Sequence, residues 1–215
     1  MENPFDKVAQ EYDDWYDSPE GSHIYREELE CVLLVKGRVG TRWIEAGAGT
    51  GRFGAELAVK YALDPSRSML GLAARRGLRI VMGRSESMPF ADGCLDGVLK
   101  VVSLEFCQDP ALAFRECARV LRRGGALVVA IIPRSSPWGT YYADKGAGGH
   151  PVYSHARFLS VEETVSHAAT AGLLLRDAAS ALLWSPHESK HVNHSVRKGA
   201  MPGAGFIALR FEPSR

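Results

Sequence analysis

Trp43-Ile44-Glu45-Ala46-Gly47-Ala48-Gly49-Thr50-Gly51-Arg52-Phe53-Gly54 runs from an apolar strand through a glycine turn into a helical pattern. Side chains at the turn would hold a ligand off the backbone, whereas glycine lets it approach the free N–H groups that open a helix. A carboxylate or phosphate suits that geometry. Residues 49–54 also satisfy G-x-G-x-x-G, so the turn alone leaves a dinucleotide-binding reading open. That reading needs an acid about 20 residues further on. Asp64 stands 10 positions beyond Gly54 and 17 beyond Gly47, and the spacing does not decide the matter.

Outward from this turn, short apolar runs alternate with helical patterns, the signature of βαβ units and a mainly parallel sheet. Strands are expected near 42–46, 61–63, 79–82, 95–101, 126–132, 173–183 and 206–211, and helices over 52–59, 66–76, 110–121 and 161–171. Arg122-Arg123-Gly124-Gly125 suits the basic end and glycine cap of the third helix. Before the first strand, Val8, Tyr12, Trp15 and Tyr16 form one helical stripe and Ile24, Leu29, Val32 and Leu33 another, so residues 1–40 read as a helical cap. Residues 184–205 lack a helical period, which makes the last strand antiparallel to its neighbour. Together with 134–159, rich in Gly, Ser, Tyr and Pro, they leave the sheet at the strands' carboxyl edge, where open α/β sheets bind ligands, and read as lid loops. Residues 41–133 form the ligand-binding core of a single domain spanning 1–215.

With 215 residues, 46% hydrophobic and 24% charged, the chain is an ordinary globule that excludes disordered and fibrous classes. Lys and Arg total 26 against 25 acids, a net charge of +1 that makes nucleic acid a poor partner. Arg75, Arg76, Arg79 and Arg84 read as a solvated basic face. No apolar run is long enough to span a membrane, and the N-terminus does not read as an export signal. Cys31, Cys94, Cys107 and Cys117 form no C-x-x-C pair and fall in segments expected to be buried strand or helix, as in a reducing cytoplasm.

Two neighbours of the glycine turn tip its reading: Glu45, two residues before the first glycine, and Ala62-Leu63-Asp64-Pro65-Ser66-Arg67-Ser68-Met69-Leu70. Here the chain resembles the class I S-adenosylmethionine-dependent methyltransferases, whose first motif is E/D-x-G-x-G-x-G and whose second strand ends in an acid. Gly83-Arg84-Ser85-Glu86-Ser87-Met88-Pro89-Phe90-Ala91-Asp92 and the following Leu95-Asp96-Gly97-Val98, then Arg119-Val120-Leu121-Arg122-Arg123-Gly124-Gly125-Ala126-Leu127, resemble later stretches of that family in the same order. Pro133 to Gly139, 156–160 and Pro186-His187-Glu188-Ser189 resemble a small prokaryotic subgroup of methyltransferase type 11 proteins.

The resemblance implies a doubly wound, seven-stranded sheet of order 3-2-1-4-5-7-6 with an antiparallel last strand, and methyl transfer from S-adenosylmethionine to a small-molecule acceptor, leaving S-adenosylhomocysteine. It implies that Gly47, Gly49 and Gly51 meet the methionyl part and that Glu45 holds its ammonium directly or through water. Asp64, beside Pro65, would accept from both ribose hydroxyls, having two acceptor oxygens. Ser85 and Glu86 would lie beside the adenine, covered by Met69 or Met88, with Lys100 presenting backbone to the cofactor. Arg84 stands where many relatives carry an adenine-binding acid.

A base is optional for such a transfer. His150, His155, His187 and His191 fall in or near the lids, and His150, His187 and Tyr141 are the catalytic candidates. His167 sits inside a helix and reads as structural. His187, His191 and His194 have metal-like spacing without further ligands, so no metal is expected. Tyr16, Trp138 and Tyr141 are placed in the acceptor pocket, where aromatic rings suit a planar or cationic guest. An NAD-dependent oxidoreductase and a non-catalytic S-adenosylmethionine-binding protein remain the alternatives, and the acceptor and oligomeric state stay open.

Overall fold

A computed structural model describes residues 3–186, 188 and 196–214. Two helices precede the sheet, α1 (Ala9–Trp15) and α2 (Pro19–Lys36), the second opened by Ser18, whose hydroxyl accepts from Gly21 N, and by Pro19 at its first position. Then follow β1 (Trp43–Ala46), α3 (Arg52–Glu56), β2 (Tyr61–Asp64), α4 (Arg67–Arg75), β3 (Arg79–Met82), β4 (Leu95–Val101), α5 (Pro110–Val120) and β5 (Leu121–Ile131). The chain continues through α6 (Pro137–Ala147), α7 (Val161–Thr170), β6 (Leu173–Ala181), β7 (Arg197–Lys198) and β8 (Phe206–Pro213).

The sheet order is β3-β2-β1-β4-β5-β8-β6-β7. Strands β1 to β5 pair in parallel, and β8 inserts antiparallel between β5 and β6. The expected seven-strand order is therefore present, and an eighth strand of two residues, β7, is added outside β6. Alternate side chains of β4 and β5 serve opposite faces. Leu99, Val128 and Ala130 pack with Val32 and Trp43 on the α2 side, while Val98, Leu127 and Val129 pack with Phe114 and Leu209 on the other. Burial on both faces is what a helix-covered parallel sheet requires.

Several local expectations change. Residues 134–159 contain α6, capped by Ser136 with Pro137 at its first position, and a 3₁₀ turn at Tyr153–His155. Helix α5 ends at Val120 without a glycine cap, and β5 starts at once: Leu121 pairs with Leu95, residues 122–125 bulge out, and the ladder resumes at Gly97 and Ala126. The buried stripe of α2 runs through Ile24, Glu28, Cys31, Val32 and Val35, leaving Leu33 exposed, because the helix packs on β6 and β8 as well as β5. Cys94 is half-exposed and Cys107 lies outside helix and strand, whereas Cys31 and Cys117 are buried on helices. Arg76 is no free surface charge, since it pairs with Asp13 at 2.8 Å and donates to Thr50 O at 3.0 Å. Among the described residues no helix is long and apolar enough to cross a membrane.

Candidate active site

The carboxyl ends of β1, β2 and β4 open into a cavity of about 770 Å³, roofed by α1 and α6. After β1 the chain reverses in a tight turn, with Gly47 N and Ala48 N donating to Leu63 O and Gly51 N to Ala48 O. Gly47 and Gly49 have φ of 78° and 53°, in the left-handed region that favours glycine. A Cβ on Gly47 would strike the Ser103 side chain, while one on Gly49 would meet nothing within 4 Å and would stand in the cavity. Helix α3 is five residues long, shorter than expected, and ends before Ala58, itself at φ 54°.

Around this turn the acids are buried. Glu45 is 2% exposed and its Oε2 accepts from Gly54 N at 2.9 Å; burial pushes its carboxyl up to about 8. Asp64 accepts from Gly49 N at 2.9 Å and from Ser66 N at 2.8 Å. Burial raises its carboxyl, against the pull of those bonds and of Lys100. Pro65 and Met69 line the same wall, whereas Met88 is buried in the core on the α5 side and does not reach the cavity. Ser85 lines the wall and its Oγ accepts from Lys100 Nζ at 2.7 Å, while Glu86 receives Gln108 N at 2.7 Å. Lys100 is 1% exposed, its ammonium held beneath the wall by Ser85 and by Ala46 O at 3.2 Å. Burial keeps that ammonium out of solvent, and its side chain does not line the cavity.

A latch invisible in the motifs holds α1 over the turn. Arg52, first residue of α3, reaches Asp13 at 2.8 Å and Asp17 at 2.7 Å, and Arg76 takes the other oxygen of Asp13. These partners hold Asp13 below its ordinary value despite its burial. The latch brings Tyr12, Trp15 and Tyr16 into the cavity wall opposite Trp138, Tyr141 and Tyr142 of α6. Trp138 is buried, donating Nε1 to Trp184 O at 2.7 Å and packing in the core as well as lining the cavity. Tyr16 and Tyr12 share a hydroxyl contact of 3.0 Å.

His150 also lines the cavity, with Nδ1 accepting from Val152 N at 3.2 Å and Tyr153 N at 3.4 Å. Burial lowers its pKa, so the neutral ring carries its proton on Nε2. His155 lines the same cavity, and His167 stacks on Phe114 in α7. His187, His191 and His194 lie outside the described residues. Among the described residues no group of His, Cys, Asp or Glu is arranged to hold a metal ion.

Among the buried acids that sequence reasoning missed, Glu28 and Glu105 lie at this end of the sheet with spare acceptor capacity. Glu28, on α2, lines the cavity and is pushed up to about 8 by burial. Glu105 accepts from Ile132 N through Oε1 and leaves Oε2 without a partner among the described residues, with its carboxyl raised to about 7 by burial. The run Arg26-Glu27-Glu28-Leu29-Glu30 carries no signal of burial, because it reads as a solvated helix face. Glu105 follows the fourth strand without a motif.

The cradle suits S-adenosylmethionine by its own chemistry: a glycine turn open where a Cβ would intrude, and two buried carboxyls facing the same space. Residues 44–129 match the model of the methyltransferase domain family. An uncharacterized protein of Methanocaldococcus jannaschii is 34% identical over 212 residues, covering 98% of both chains. One of Mycobacterium tuberculosis is 36% identical over 201 residues, covering 94% of this chain and 70% of its own. The crystal structure of a Thermotoga maritima S-adenosylmethionine-dependent methyltransferase, described as a possible histamine N-methyltransferase, aligns with a TM-score of 0.88 at 30% identity and covers 98% of each chain. A match of that identity along the whole length extends well beyond the motif-bearing core, and the chain belongs to the class I S-adenosylmethionine-dependent methyltransferases, type 11.

Proposed function

We propose that the protein transfers the methyl group of S-adenosylmethionine to a small-molecule acceptor seated between α1 and α6. The observation that carries this reading is a single cavity whose floor is the glycine turn with Glu45 and Asp64 and whose roof is aromatic. When bound, S-adenosylmethionine supplies a methyl carbon activated by its sulfonium leaving group, so the protein has mainly to align the acceptor and exclude water.

Gly47 and Gly49 give backbone access to the methionyl part, whereas Gly51 does not line the cavity and is needed where a Cβ would strike Leu78 and Ala73; Glu45 takes the ammonium. That ammonium compensates a carboxyl that burial otherwise holds up near 8. Asp64 keeps lone pairs free beside its two backbone donors and takes the ribose hydroxyls. Pro65, Met69, Ser85 and Glu86 form the adenine side. Lys100 acts from beneath, fixing Ser85 and Ala46 O rather than touching the cofactor. Tyr16, Trp138 and Tyr141 wall the acceptor. His150, with Nδ1 accepting, offers a proton donor to the cavity and not a base, which leaves deprotonation of an acidic acceptor to solvent.

Calorimetric titration with S-adenosylhomocysteine tests the reading. The protein binds it, Asp64→Ala weakens binding at least a hundredfold, and NADH gives no heat. Preference for NADH, or binding unaffected in Asp64→Ala, overturns the reading. Formation of S-adenosylhomocysteine from S-adenosylmethionine on adding an acceptor separates an enzyme from a binding protein.

A further inference from the structure

Glu27 and Glu28 are neighbours on α2, both buried, and their surroundings differ completely. Glu27 is satisfied: its carboxylate accepts from Leu182 N at 3.2 Å and Trp184 Nε1 at 3.1 Å and lies 3.3 Å from His23 Nε2. Glu28 is 6% exposed, lines the cavity, and has no hydrogen-bond or ion-pair partner among the described residues. A buried carboxyl without donors costs several kcal/mol if ionised, so a fold that needed only packing there would gain from an apolar residue.

The surroundings say what would satisfy it. The hydroxyls of Tyr12, Tyr16, Tyr142 and Tyr153, arriving on α1, α6 and the 3₁₀ turn, all lie within the field of Glu28, which pushes each of them up. Rings of this wall already take cations: the Arg52 guanidinium lies 5.4 Å from the Tyr16 centroid and Lys145 Nζ 4.4 Å from that of Tyr141. Acidic side chains lining the cavity, six in number, outnumber its three basic ones, and Arg52 is engaged by Asp13 and Asp17. An anionic acceptor would meet repulsion here. A neutral hydroxyl would donate to Glu28 but bring no charge to balance its carboxylate.

We propose that Glu28 anchors a cationic nitrogen of the methyl acceptor, so that the acceptor is a small organic amine carried between the tyrosine rings. This rests on the methyltransferase reading given above. It assigns Glu28 to recognition: the carboxylate holds the ammonium, and the rings sort by size and planarity.

The test uses the full chain saturated with S-adenosylhomocysteine and three probes that share a phenylethyl group: 2-phenylethylamine, 2-phenylethanol and 3-phenylpropanoate. The amine binds at least tenfold tighter than the alcohol, and the acid does not bind. Glu28→Gln, which keeps the shape, loses at least tenfold in amine affinity while its affinity for the alcohol and for S-adenosylhomocysteine stays within threefold of wild type. Amine and alcohol binding alike, no amine binding, or a Glu28→Gln protein that keeps the amine preference overturns the assignment. Should that variant fail to fold, the wild-type comparison of amine with alcohol decides alone. Absence of S-adenosylhomocysteine binding in the wild type would instead overturn the methyltransferase reading, so the two failures are distinguishable.

Discussion

At the amino end of β1 and β4, Asp96 receives Thr41 N at 3.0 Å, Arg42 N at 2.8 Å and the guanidinium groups of Arg42 and Arg122, which together hold its carboxyl well below the usual range. At the carboxyl end of the same strands, Glu45 and Glu105 are just as hidden but lack any cation in hydrogen-bond contact among the described residues, and burial pushes both up. Glu28, facing the same cavity, goes the same way. One end spends its donors on joining strands. The other withholds cations from its carboxyls, and a buried carboxyl kept without one favours the arrival of a ligand that brings it.

The largest expected effect that sharpens this contrast is at Asp96. Asp96→Ala leaves two backbone N–H groups and two guanidinium groups without their acceptor, and chemical denaturation should show a loss of about 3 kcal/mol. Affinity of the folded fraction for S-adenosylhomocysteine stays within threefold. A loss of S-adenosylhomocysteine affinity exceeding tenfold would mean that the two ends are coupled and the contrast is false.

Glu45→Gln is the mirror experiment. The amide keeps an oxygen for Gly54 N but removes the charge that would face an ammonium. S-adenosylhomocysteine affinity should fall about tenfold, roughly 1.4 kcal/mol, while the denaturation midpoint holds or rises. A midpoint that drops with affinity unchanged would make Glu45 a structural acid like Asp96.

The cofactor turn is far more legible than the acceptor wall or the Asp96 cluster, whose Arg122 reads as the basic end of a helix. A glycine turn between an apolar strand and a helix leaves a local record at Glu45, Gly47, Gly49 and Asp64, because the chain must reverse tightly there and that needs particular residue types. Helix α6 left a weaker one. Gly139, Gly146 and Gly148 hide a helix whose true marks are Ser136-Pro137 at its start and the Trp138–Tyr142 pair one turn apart. A Cβ on Gly139 would strike Pro133 O, and one on Gly146 would strike Tyr153 O, so two of these glycines answer to close approach and not to a loop. Glu28 and the Arg52 latch depend on helices far apart in sequence meeting over the sheet, and no local pattern encodes that meeting.

The pH dependence of stability should expose both ends in one profile. Asp96 and Asp13, lowered in the fold, contribute stability that is present above their unfolded value of 3.8 and lost as pH falls below it. Glu28 and Glu45, raised to about 8, act in the opposite sense: the folded state binds their protons more tightly, so stability is highest below their unfolded value of 4.5 and falls as pH rises toward 8. Melting of the ligand-free protein should therefore peak near pH 5 and decline to pH 9. Glu28→Gln and Glu45→Gln each flatten the alkaline decline without moving the acid arm. A flat profile between pH 5 and 9 in the wild type would mean that neither carboxyl is held neutral by burial.

The smallest effect is expected at Lys100, the exception at the carboxyl end: a buried cation in a region otherwise short of them. Its charge pulls downward on Glu45, Asp64 and Glu105, but in each case less strongly than burial pushes upward. Lys100→Met would remove that pull and also leave Ala46 O without its lysine donor and free Ser85 Oγ. It also replaces a desolvated ammonium by an apolar side chain of similar length, which offsets the lost bonds, so net stability at pH 6 should change by less than about 1 kcal/mol. What should move is the shape: with the cation gone, the three carboxyls rise further and the alkaline decline of the wild type shifts to higher pH. Because the ammonium also fixes Ser85, S-adenosylhomocysteine affinity should weaken severalfold at every pH, and the two consequences separate its electrostatic role from its positioning one. A melting profile superimposable on that of the wild type would mean that Lys100 serves Ser85 and Ala46 alone and exerts no field on the acids beside it.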